Sequence, residues 1–426
     1  MPNDLHRRGS ALRITPAQVG AAEVWTAAGL ALGLLPAELD QSIFATALPA
    51  VVAELGGLAG LALINTSYVL AGAVAMLLVG PLGDRFGRRP VFVWATVAFL
   101  AGSVLGGLAP TLPVLVSARV VQGLGGGGLL VLIQAIVADL VAPRRRAWYL
   151  AVVDATYAVA AVTGPVLGGW LAEYASWRWA FWLNVPLGVL ALLAVMRWLP
   201  ASRPPRSDRP IASPLRPLSL LRRRAVGLPV AGSALLAVAV FGAVNYLPTF
   251  LQLAAGQTAV RAGLTMLSLV AGLGLATLAA AQWLRRTGRA YGLPIIGALL
   301  VALALSLCAT LTPGSPLPTM IVYFFLLGTG TGLAWEVLVV VVQEAAPPDQ
   351  LGSATAANGF SREVGVLVGT AAVGGLLVQR LNGVGLDPMA YADALTPLLG
   401  GLALVALLAA GLLIAVRPVQ LRAGPG

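Results

Sequence analysis

Long apolar runs alternate with short polar breaks over nearly the whole chain, at 22–48, 62–82, 91–110, 112–138, 147–171, 178–199, 225–251, 258–283, 291–312, 317–342, 353–378 and 394–416. Each can cross a hydrocarbon layer, which takes about 20 residues in helical form. No water is available there to satisfy a bare backbone, so each run is predicted to be a helix. Twelve such runs define an all-α polytopic membrane protein. The longest polar interval inside the chain runs from Pro200 to Arg224 and is rich in proline and arginine. It separates six spans from six. The predicted organisation is a tail at 1–21, a six-helix bundle at 22–199, a linker at 200–224, a second six-helix bundle at 225–416 and a tail at 417–426. The prolines make the linker an extended connector, and its Leu-Arg end suits the anionic inner face of a bilayer.

Composition agrees. Of 426 residues, 58% are hydrophobic and 10% charged, far from the make-up of a water-soluble domain. A net charge of +11 could suggest nucleic acid as a partner, but its placement argues against that. All 27 basic residues are arginine, and they crowd into alternate breaks: Arg7, Arg8 and Arg13; Arg85, Arg88 and Arg89; Arg144 to Arg146; Arg197 to Arg224; Arg285, Arg286 and Arg289; Arg417 and Arg422. The other breaks hold only Arg178, Arg261 and Arg380. This asymmetry predicts a multi-pass protein of the cytoplasmic membrane with both termini in the cytoplasm. No cleavable signal peptide is expected, because the first apolar run is too long.

With no lysine, the Gly-Lys-Ser/Thr of a phosphate-binding loop cannot be built. Any transport must then run on a gradient or downhill. The lone Cys308 reads as a buried structural thiol. His6 lies in the N-terminal tail, so carboxylates must carry any proton within the membrane. No cofactor or metal cluster is called for, and a monomer is the expected working unit.

The densest polar break is GPLGDRFGRRP, Gly80 to Pro90, between the second and third runs. QWLRRTGRA, Gln282 to Ala290, is its degraded copy: Gly288 stands for Gly87, Arg289 for Arg88, Arg286 for Arg85, and Arg285 for Asp84. Two halves joined by a degenerate repeat suit a secondary transporter with its site near the midplane. Asp84 can face the positive N-terminal end of another helix, and the run beginning near Gly352 and Ser353 is the expected partner. That contact would hold the cytoplasmic side shut, with Arg85, Arg88 and Arg89 anchoring the break at the membrane surface. The alternative is an arginine cluster that sets topology only.

The Gly80–Pro90 pattern resembles the signature of the major facilitator superfamily. LDQSIFATALP (Leu39 to Pro49), RVVQGLGGGG (Arg119 to Gly128), and TGPVLGGWL with SWRWAFWLNVPLG (within Thr163 to Gly188) resemble motifs of its drug:proton antiporter branch. YLPTFLQ (Tyr246 to Gln252) and RAGL (Arg261 to Leu264) are similar to that branch as well. That branch usually has fourteen spans, so this chain reads as a twelve-span variant. The resemblance implies a proton-driven exporter of amphipathic or cationic small molecules, with substrate, protons and the bilayer as partners.

Several residues are then candidates. Asp40 lies inside the first run, where burial disfavours its charged form and suits reversible protonation; it matches the first-span acid of the signature. Glu38, two positions away, is about 200° around the helix and faces elsewhere, as a second site or substrate contact. An arginine inside a span, as Arg119 is, costs roughly 2.5–3.5 kcal/mol and needs a partner or water. The resemblance implies a role for it in proton coupling; a structural ion pair is the alternative. Gln122 and Gly123 follow it, and the glycines to Gly128 allow close helix packing. Gly164 and Pro165 bend the fifth run, and Gly168 and Gly169 permit a close seam. The resemblance implies that these four residues form a seal distinguishing antiporters from importers. Asp154 belongs to no known motif and is either on the proton route or near the surface. Glu336 beside Trp335 could take a proton or a lipophilic cation, by charge and ring quadrupole together. Gly328, Gly330 and Gly332 read as packing, since no strand precedes them. Arg362 follows the logic of Arg119, and Glu363 is uncertain. An uptake permease of the same fold, and a membrane-embedded enzyme or lipid-handling protein, remain alternatives.

Overall fold

The computed structural model describes residues 28–43, 51, 54–55, 58–199, 219–347, 350–381 and 388–416. Both predicted tails, most of the 200–224 linker, Pro49 and the side chains of Asp154, Pro165 and Gly169 lie outside the described residues. Among the described residues the chain forms twelve helical segments. These are α1 (28–43), α2 (Leu58–Phe86), α3 (Arg88–Gly107), α4 (Leu112–Leu140), α5 (Pro143–Tyr174) and α6 (Trp179–Arg197), then α7 (Arg224–Ala254), α8 (Ala259–Thr287), α9 (Gly292–Cys308), α10 (Leu317–Ala345), α11 (Leu351–Leu381) and α12 (Pro388–Ile414). Nine of them are long and apolar enough to cross a membrane by length and composition. The other three are α9, with 17 residues, α1, and α5, whose first turn carries Arg144 to Arg146.

The helices pack through their smallest residues, as expected where lipid removes the hydrophobic drive between helices. The glycine run of α4 faces two neighbours at once. Gly123 and Gly127 sit against Tyr68, Ala71 and Gly72 of α2, while Gly125 sits against Ala95 and Phe99 of α3. In the second half Gly328, Gly330 and Gly332 of α10 play the same part against α8 and α9.

The polar break at Gly80–Pro90 is not a loop. Helix α2 runs on to Phe86 and α3 begins at Arg88, leaving Gly87 alone between them. Its φ of 91° is a conformation only glycine adopts freely. Gly288, its counterpart in the degraded copy, closes α8 with φ 66°. Asp84 and Arg85 therefore sit in the last turn of one helix, and Arg88 and Arg89 in the first turn of the next.

The two halves meet through α2 against α11 and α5 against α8. The side-chain contacts that join them concentrate at the end carrying Asp84, here the basic end. Val141, Ala147, Leu150 and Val153 pack there with Ala280, Ala281, Leu284, Val340 and Val341. At the closest approach, a Cβ on Gly80 would fall onto the Gly352 carbonyl and within 2.6 Å of the Ala356 Cβ. Gly80→Val is accordingly expected to hold this end apart, read as a longer distance between spin labels on α2 and α11. Gly263→Val, at a glycine with open space around it, should leave that distance unchanged.

Candidate functional site

A closed polar network lies inside the first half. Asp40 reaches it from α1, between the buried Ala37 and Ile43. Its Oδ2 accepts from the Arg119 guanidinium of α4. Its Oδ1 accepts from Gln122 Nε2 at 2.8 Å and from Asn184 Nδ2 of α6 at 2.9 Å. Ser103 of α3 accepts from the same two amides at 3.0 and 3.3 Å, and Arg119 also donates to Gln122 Oε1 at 2.9 Å. Asp40, Ser103, Arg119 and Gln122 are fully buried, and Asn184 is nearly so.

Local sequence explains the convergence. Gly102 lets α3 approach the backbone of Gln122, which brings Ser103 within reach. Gly123 draws α2 in, so that Tyr68 covers the Arg119 guanidinium with its ring centroid 4.4 Å away. Phe181 stands on another side at 5.9 Å. Arg119 thus has both an anion and ring faces in place of water. Asp40 is not the isolated carboxylate that burial alone would suggest: three donors, one of them charged, converge on it. Asn184, Ser103 and Tyr68 were not singled out on sequence. The signal was there for Asn184, a polar residue just inside an apolar helix.

At the basic end Asp84 caps α11. It accepts from the backbone N–H groups of Gly352 and Ser353, both at 3.0 Å, and from the Ser353 hydroxyl at 3.2 Å. These N–H groups have no partner within their own helix. Arg88, expected at the membrane surface, is instead buried. It donates to Asp84 at 2.6 Å and to Asp139, at the end of α4, at 2.9 Å. The glycine hairpin turns Arg88 inward, four positions after Asp84. Arg89 donates to the Met196 carbonyl at 2.6 Å, and Arg85 is exposed beside Phe86.

A second bond between the halves, unforeseen on sequence, joins Arg146 in the first turn of α5 to Glu344 at the end of α10, at 2.7 Å. Arg146 also donates to the Ala138 and Val141 carbonyls at the C-terminal end of α4. Burial pushes its guanidinium below the ordinary range, and the Glu344 carboxylate opposes that. Glu344 holds in α10 the place Asp139 holds in α4. One acid binds an arginine of its own half; the other reaches across.

At the opposite end Glu54 accepts from Arg178 and from the Trp177 indole, both at 2.7 Å. These two donors hold its carboxyl below the usual range. Arg178, an exception to the arginine asymmetry, is thereby matched.

In the second half, Glu336 is buried in α10. The face of Trp335 carries the Arg362 guanidinium at 4.5 Å, and Phe241 stands 5.9 Å away. The ring expected to receive a cationic ligand already holds an internal cation. Gln122 belongs to the Asp40 network of the first half and Arg362 to Trp335 of the second. Glu38 is half-buried on α1. Gly164 packs on Ser42 and Ile43, which makes an α1–α5 seam, and Gly168 is buried within α5.

The profile of the Major Facilitator Superfamily matches residues 30–370. This chain belongs to the Major Facilitator Superfamily. Nine of its described helices can cross a membrane, so it is a multi-pass helical membrane protein. An uncharacterized MFS-type transporter of Mycobacterium tuberculosis is 34% identical over 83% of this facilitator and 59% of its own length. The facilitator therefore spans a little under three-fifths of that relative. The multidrug transporter protein MdtP of Bacillus subtilis is 25% identical over 86% of the facilitator and 78% of its own length. Among solved structures, the human organic anion transporter MFSD10 superposes with a TM-score of 0.73 at 20% identity, covering 92% of the facilitator and 99% of itself. The proton:xylose symporter XylE gives 0.70 at 16%, covering 94% and 97%. At those identities the likeness is one of fold.

Proposed function

We propose that this facilitator is a proton-driven exporter of amphipathic drugs or secondary metabolites. Its basic end and both termini lie on the cytoplasmic side, and the two six-helix bundles 22–199 and 225–416 rock about a central space. The observation that carries the reading is the buried Asp40–Arg119 pair. A proton arriving from outside neutralises Asp40 and removes the anion that holds Arg119. Arg119 then keeps Gln122 and the Tyr68 and Phe181 faces, and a buried cation without its anion favours a conformation that brings water to it. Proton and substrate compete to set the conformational balance, which couples their movements. Asp84 on α11 and Arg146 on Glu344 are the latches of the cytoplasmic side, both shut in this conformation. Support comes also from relatives named as multidrug transporters and efflux pumps, and from the Gly164–Ser42 seam. Uptake by the same fold is the second reading.

The measurement is accumulation of ethidium in cells expressing the protein, with and without a protonophore. Export predicts low accumulation that rises when the gradient is collapsed. Protonophore-sensitive uptake would favour the second reading, and no protein-dependent change would sink both.

A further inference from the structure

Two amides lie buried at the seam between the halves. Gln343 of α10 is 2% exposed and Asn358 of α11 is 1% exposed. Gln343 Nε2 donates across the seam to the Gln134 carbonyl and, within its half, to Thr355 Oγ1, both at 3.2 Å. Those acceptors fix which end of the amide is nitrogen. Its Oε1 has no hydrogen-bond partner, and neither has Oδ1 or Nδ2 of Asn358. Buried polar groups are nearly always bonded, and three orphaned amide atoms on adjacent helices need a reason.

Their position supplies one. Thr355, Asn358 and Arg362 follow one another at three and four residues and share one face of α11. Thr355 touches Gln343, and Arg362 covers Trp335, so this face lies along α10 with Asn358 between the two contacts. The next residue, Gly359, abuts Val131 and Met76 of the first half. Gln343 is thus covered in part by the Gln134 carbonyl of the first half, and Asn358 stands one residue from the seam. When that end opens, the first half's share of this cover moves away.

We propose that Asn358 and Gln343 form a hydrogen-bonding subsite for an uncharged amide, carbonyl or hydroxyl group of the transported molecule. The proposal rests on the transport reading above. Asn358 offers one donor pair and one acceptor, and Gln343 adds a second acceptor. A group that both donates and accepts satisfies the orphaned atoms. A quaternary cation satisfies none of them, and the Trp335 face on this side of α11 already carries Arg362. The subsite therefore selects for polar neutral functions on an amphipathic body.

The test is equilibrium binding to the purified full-length protein in nanodiscs. The probes are chloramphenicol, which carries an amide and hydroxyls, and tetraphenylphosphonium, which carries no hydrogen-bonding group. Asn358→Leu keeps the side chain's shape and removes orphaned atoms, so it should fold at least as well as the parent. It is expected to weaken chloramphenicol binding by about tenfold or more, because a site built around hydrogen bonds discriminates sharply. Tetraphenylphosphonium should change by less than about twofold, since it never engaged those groups. Gln343→Met should show the same selectivity with a smaller loss, and Asn358→Ser should restore part of it. Equal losses for both probes would mean that the amides only tune closure, and would overturn the subsite. Unchanged or absent chloramphenicol binding would overturn it as well. Binding needs no proton gradient, so amide-dependent binding without protonophore-sensitive transport would sustain the subsite and refute the export reading.

Discussion

Asp40→Ala and Arg119→Ala are each expected to destabilise the protein by about 3–5 kcal/mol, because each strands a partner in a water-free interior. Asp40→Ala leaves the Arg119 guanidinium with Gln122 and ring faces but no anion. Arg119→Ala leaves the Asp40 carboxylate with two neutral amides. The double variant Asp40→Ala/Arg119→Ala removes both charges and should recover part of the loss, giving a large coupling energy. Denaturant titration of the detergent-solubilised protein measures this. Simply additive losses would mean that the pair does not interact. None of the three variants should retain gradient-driven transport, including the double variant. Stability and coupling can therefore be read apart.

The second large effect is expected at the basic end. In Asp84→Asn a carboxylate that accepts two backbone N–H bonds, one hydroxyl and one guanidinium becomes an amide with a single acceptor atom. Hydrogen bonds to a charged group contribute about 1.5–3 kcal/mol each. A loss of about 3 kcal/mol moves the balance between closed and open ends roughly a hundredfold. Spin labels on the exposed ends of α2 and α11 should report a longer distance, and transport should fall to background while the protein still reaches the membrane. Arg285→Ala, at the matching position of the degraded copy, touches an exposed side chain and should change transport little. Equal effects at the two positions would defeat the idea that one half alone carries this latch.

That asymmetry could be read from the chain, because Gly87, Gly288 and the replacement of Asp84 by Arg285 are visible without coordinates. The same holds for Asp84 meeting a helix start at Gly352, since carboxylates and free N–H groups attract wherever they meet. The inward turn of Arg88 could not be read. It depends on Gly87 collapsing an apparent loop to one residue, which rotates α3 so that its first arginine points at Asp84 and Asp139. Arg146 and Glu344 were equally opaque: both lie among charges at helix ends, and only the docking of α5 beside α8 and α10 brings them together.

The candidate site divides along the same line. A buried acid at Asp40 and a buried arginine at Arg119 stand out in apolar runs, because lipid makes either one expensive alone. Their mutual contact, and the addition of Ser103 and Asn184, depends on the rotation of four helices, fixed by Gly102, Gly123 and their neighbours. Arg362 on Trp335 required the same kind of information.

What the sequence by itself determined was the succession of long apolar helices and the end that gathers charge. The bilayer acts on each segment separately, through hydropathy and length, so a one-dimensional pattern suffices. Tertiary structure alone decided which buried polar groups are satisfied and which are not. That depends on which faces of separate helices meet, to within a hydrogen-bond length, and no periodicity along a single helix encodes it.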